Sequence, residues 1–80
     1  MNTKQARELL GSIQEGELFE HGKLFKRMDP DEPIFWKVLE AIDTDEGRRV
    51  TFHLYYRDVF LKSIVGLLTE SGKVLWGVRA

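Results

Sequence analysis

The 80-residue sequence predicts an α+β fold, an N-terminal helix packed on an antiparallel β-meander of about five to six strands, in one domain spanning residues 1–80. Three observations carry that expectation. Ala6, Leu9, Leu10 and Ile13 recur at i, i+3, i+4 and i+7, which makes one apolar stripe along a helix. Residues 48–58, RRVTFHLYYRD, alternate strictly. Val50, Phe52, Leu54 and Tyr56 fall on one side, and Arg49, Thr51, His53, Tyr55 and Arg57 on the other, as in a strand with one buried face. His21-Gly22 and Ser71-Gly72 each sit between apolar runs with a Glu before and a Lys after, the chemistry of a tight hairpin turn.

Taken in order, residues 3–15 form the helix. Thr3 or Asn2 caps it, Gln5 stands where a capping-box partner of Asn2 belongs, and Gly16 stops it. Around His21-Gly22 the pairs Glu20–Lys23, Phe19–Leu24, Leu18–Phe25 and Glu17–Lys26 match in charge and hydrophobicity, so a hairpin in that register is expected. The two prolines and three acids of DPDEP make residues 29–33 a loop. IFWKVLEAID, residues 34–43, fits neither the helical nor the strand period cleanly; its aromatic and β-branched content favours a strand. TDEG turns the chain into the alternating strand at 48–58. Residues 59–69 are expected as a strand, with a helix capped by Asp58 as the rival. Pairing outward from Ser71-Gly72 gives Glu70–Lys73, Thr69–Val74, Leu68–Leu75, Leu67–Trp76, Gly66–Gly77 and Val65–Val78. Phe52 and Leu54 belong in the core or an oligomer seam.

Composition narrows the function classes. A chain this short buries only about 60% of the surface it exposes when unfolded, so its core is near the lower limit of self-sufficiency. It has no cysteine, which excludes disulfides, thiolate metal sites and thiol catalysis and fits a cytoplasmic location. Twelve Lys and Arg against 13 Asp and Glu give a net charge of -1, which argues against bulk attraction to nucleic acid or anionic lipid. No apolar run has the length of a membrane span or a signal peptide.

No catalytic, cofactor or metal site is expected. The glycines form no phosphate-binding motif. DTDEGR at 43–48 lacks the spacing of a calcium loop, because the place of its bidentate acid falls on Leu54. His21 and His53 are too few for zinc on their own. The positive signal is the polar side of RRVTFHLYYRD. Arg and Tyr are enriched at protein-binding hot spots, so Arg49, His53, Tyr55 and Arg57 are the candidate partner-binding residues. The expected function is a small non-enzymatic protein-binding module, an inhibitor or adaptor that blocks a larger partner through that partner's acidic surface. Small phage and mobile-element proteins are often of this kind. The alternative is a nucleic-acid-binding accessory protein using the basic and aromatic sheet face. An ordinary solvated face, with Tyr and Thr present for β-propensity, competes with both. A single helix covers one side of the sheet, so the other side is left open. The last strand, KVLWGVR, is short on inward charges and is suited to pair with its own copy as a homodimer edge.

Overall fold

The computed structural model describes residues 2–20, 23–27 and 33–79. One N-terminal helix lies on one side of an antiparallel sheet, as the sequence predicts. Helix α1 spans Thr3–Ser12 and opens with the expected capping box. The Gln5 N–H donates to Asn2 Oδ1 at 2.8 Å, and the Asn2 N–H donates to Gln5 Oε1 at 3.0 Å. The helix ends three residues before the expected residue 15, for two reasons. The Ser12 hydroxyl bonds back to the Glu8 carbonyl, a local competitor of the helical ladder. Arg48 then reaches from the sheet to the Ile13 carbonyl at 2.7 Å, a cation satisfying an acceptor freed at the helix C-terminus.

The strands are β1 (Leu18–Glu20), β2 (Lys23–Arg27), β3 (Ile34–Thr44), β4 (Gly47–Tyr56), β5 (Val59–Thr69) and β6 (Val74–Arg79). They line up in the order β2-β1-β3-β4-β5-β6 with antiparallel neighbours throughout. Strands β3 to β6 are a simple meander. Strand β1 lies between β2 and β3. The double pairing of β1 corrects the first hairpin. Glu20 faces Lys23 as expected, but Phe19 faces Arg27, not Leu24, and the register breaks between Phe19 and Glu20. Strand β1 is held against β3 with Phe19 opposite Trp36, and Phe19 is buried in the core. Glu17 precedes the strand and gives its carbonyl to the Val38 N–H instead of facing Lys26. The His21-Gly22 turn and residues 29–32 of the expected loop lie outside the described residues; Pro33 is in a bend.

Strand β3 resolves the ambiguous segment. Val38 pairs with Phe52 and Glu40 with Thr51, so Leu39 is an extra residue, a bulge, and is half exposed. Trp36 and Val38 before the bulge and Ala41 after it all pack on the core. A bulge shifts the two-residue period by one, which is why no single period fits. The turn Asp45-Glu46 leads into β4, where Val50, Phe52 and Leu54 are buried as expected. Tyr56 is not; it is 44% exposed. The helix packs on β4, β5 and β6 toward the Gly47 end and stops short of Tyr56. The alternation also ends early, because Arg57, at φ 53, and Asp58 form the turn into β5. Strand β5 replaces the rival helix and carries a second bulge, Leu61, between the pairs Tyr55–Phe60 and Leu54–Lys62.

The last hairpin is one residue out of the expected register. Leu68 faces Val74, Leu67 faces Leu75, Gly66 faces Trp76 and Val65 faces Gly77. The loop has three residues, Glu70, Ser71 and Gly72, with Gly72 at φ 86. A third loop residue in the left-handed region is the usual way to close such a hairpin, and glycine adopts it without a Cβ penalty. Thr69 fixes the closure: its hydroxyl accepts the Lys73 N–H and its carbonyl accepts the Gly72 N–H, each at 3.0 Å. The slip places Trp76 on the helix side. There its ring and Leu10 press on Gly66 so closely that a Cβ would stand 2.8 and 3.0 Å from them. Trp36 packs on the core beside Phe52, with ring centroids 6.0 Å apart, and the largely exposed Trp76 meets the same ring from the rim at 6.2 Å. No helix among the described residues is long and apolar enough to cross a membrane.

Candidate functional site: the helix-free face of the sheet

Alternation fixes what the second face holds. Residues directly opposite in neighbouring strands share a face, so the pairing lays out rows across the sheet. The first row is Phe35–Tyr55–Phe60. The next is Lys37–His53–Ser63, followed by Glu40–Thr51–Val65–Gly77 and Ile42–Arg49–Leu67–Leu75. None of these residues is fully buried, because no described element lies over them.

The first two rows form an aromatic cluster. Phe35 stacks on Tyr55 at 5.3 Å and 17°. Phe60 sets its ring at right angles to Tyr55 at 5.9 Å and to His53 at 4.7 Å. The Tyr55 hydroxyl and His53 Nδ1 are 3.5 Å apart. Offset and edge-to-face rings are each worth about 0.5–1.5 kcal/mol beyond their buried area, so the cluster holds itself in place without a covering layer. The two bulges make it. Counted from the Asp45-Glu46 turn, an unbroken ladder puts Phe35 opposite Tyr56, on the helix side; Leu39 moves it opposite Tyr55.

Beside the cluster is an open hollow of about 450 Å³. Half-buried Leu18, Phe35 and Tyr55 line it together with exposed Gly16, Lys37, Arg57 and Asp58. Its charged groups are two cations and one acid. Arg57 borders it from the turn, and its guanidinium carbon lies 5.7 Å from the centroid of the neighbouring Tyr56 ring. An apolar floor edged by cations can take a carboxylate-bearing side chain, with the methylenes on the rings and the charge at the rim.

The four residues singled out from sequence separate. His53 and Tyr55 lie together in the aromatic cluster. Arg49 is on the same face but two rows away and is paired with Glu40, Nη2 to Oε1 at 3.6 Å. Arg57 is not on the strand at all, yet it joins Tyr55 at the hollow. Sequence reasoning missed Phe35, Phe60 and Lys37. The turn Arg57-Asp58, if read, sets Phe60 opposite Tyr55; Phe35 and Lys37 depend on the bulge, which leaves no turn signal. No group of three or more potential metal ligands occurs among the described residues. No protein-family model, curated protein or solved structure matches the chain.

Proposed function

We propose that the protein is a small non-enzymatic binding module whose helix-free face docks on an acidic surface of a larger protein, acting as an inhibitor or adaptor. The observation that supports this reading is the pre-assembled cluster of Phe35, Tyr55, Phe60 and His53 on an uncovered sheet face, edged by Lys37 and Arg57. Rigid aromatic anchors lose little conformational freedom on binding, and cations beside them select a negative partner. Of the sequence candidates, His53, Tyr55 and Arg57 lie at or beside the hollow, and Arg49 serves at the far end of the face. The second reading, single-stranded nucleic acid, draws on the same rings and cations; the net charge of -1 weighs against it.

The test uses the protein as bait in extract of its own host, beside a Lys37→Glu/Arg57→Glu variant and a helix-side control, Lys62→Glu. The expected result is one protein retained by wild type and by the control and lost by the double variant. Nuclease-sensitive retention that weakens steeply with salt selects the nucleic-acid reading. Equal retention by all three baits leaves the face an ordinary solvated one.

A further inference from the structure

The two edges of the sheet differ. Strand β2 ends one side with Lys23, Lys26 and Arg27 among its five residues. Charged residues, lysine above all, are a common device against edge-to-edge pairing. Strand β6 ends the other side, and from Val74 to Val78 it contains no charge, no proline and no bulge. It exposes a large hydrophobic residue on each face, Leu75 at 55% on the helix-free side and Trp76 at 46% on the helix side. One further strand laid along β6 covers both.

We propose that this strand is β6 of a second copy, and that two molecules join edge to edge across a two-fold axis centred on Leu75. The hydrogen-bonding phase permits it. The Thr69 N–H donates to the Lys73 carbonyl at 2.9 Å. That commits the backbone groups of Lys73, Leu75 and Gly77 to β5 and turns those of Val74 and Trp76 to the open edge. An axis perpendicular to the sheet keeps each copy's faces in common, so it must pass through a residue paired with itself.

Centred on Leu75, the axis pairs Val74 of each copy with Trp76 of the other, and their outward N–H and C=O groups satisfy one another. Leu75 meets Leu75 on the helix-free side, and Val74 meets Trp76 on the helix side. Lys73 falls opposite Gly77, where the space a Cβ would occupy is empty. Moving the centre to Trp76 sets Lys73 opposite Arg79, and like charges directly opposite are unfavourable. Charge therefore favours the Leu75 register over the one centred on Trp76. This inference does not rest on the protein-binding reading of the helix-free face.

The chain has no cysteine, so one introduced thiol reports the register. Sedimentation of wild type at high micromolar concentration should give twice the 9.3 kDa monomer mass. Leu75→Lys, which sets two cations face to face on the axis, should give the monomer with an unchanged circular dichroism spectrum. Leu75→Cys should close a disulfide-linked dimer on mild oxidation, far faster than Ser71→Cys. A wild type that stays monomeric overturns the proposal, as does a folded Leu75→Lys that remains dimeric. Should Leu75→Lys fail to fold, cross-linking decides: equal rates at positions 71 and 75 overturn it.

Discussion

Strand β4 has two faces built from alternate residues of the same segment. Val50, Phe52 and Leu54 are at most 5% exposed. Thr51, His53 and Tyr55 are each only partly covered. On the helix side, burial comes from a second layer, because Leu9 and Leu10 of α1 and Ile13 just after it close over the strand. On the other side, order comes from within one layer, as Phe35 and Phe60 clamp Tyr55 from the neighbouring strands. The first arrangement contributes stability through area removed from water. The second contributes less, and leaves rigid rings facing solvent, which is what a binding face needs.

Substitutions separate the two faces. Phe52→Ala should have the largest effect. It removes the residue that joins α1, Trp36 and Trp76, at about 3–5 kcal/mol, a large share of the stability of a domain this size. Urea denaturation checks it, and a wild-type midpoint would mean the two faces are inverted. Gly66→Ala comes next, at about 1–3 kcal/mol from overpacking. Leu10 is fully buried and cannot yield, whereas Trp76 can swing outward, so its fluorescence should shift to the red as the midpoint falls. Arg48→Met should cost about 1.5–3 kcal/mol, since it withdraws a charged donor from the Ile13 carbonyl; an unchanged melt would show water serving that carbonyl equally well.

The helix-free side should respond in the opposite way. Arg57 holds φ 53, a left-handed conformation whose steric strain costs an L-residue about 1–2 kcal/mol and is absent in glycine. Arg57→Gly should therefore raise the melting temperature while weakening partner retention. If both fall, the arginine is a structural residue of the turn. Lys37→Glu should be the mildest change to stability, within about 0.5 kcal/mol, because the side chain is exposed. A large loss of stability there would show the hollow to be part of the fold.

Local chemistry made much of this legible. The capping box at Asn2 and Gln5, the stripe Ala6, Leu9, Leu10 and Ile13, and the buried trio Val50, Phe52 and Leu54 follow from rules that span eight residues or fewer. The strand character of residues 59–69 and the polar turn at Asp45-Glu46 were within reach for the same reason. For the candidate site, sequence placed His53 and Tyr55 on the open face but assigned Arg57 to a strand that ends at Tyr56.

Registers and bulges were decided elsewhere. A hairpin pattern sees one neighbour, whereas β1 has two, and the core position of Phe19 prevailed over its match with Leu24. Ser71-Gly72 suits a two-residue or a three-residue loop; Gly72 at φ 86 and the Thr69 side chain chose the longer, moving Trp76 across the sheet. Leu39 and Leu61 differ in no local respect from core leucines. Only the packing of whole strands determines which residue is left over, because each strand must satisfy both neighbours and the helix at once. That choice, made in three dimensions, brought Phe35 and Lys37 beside Tyr55 and so made the hollow.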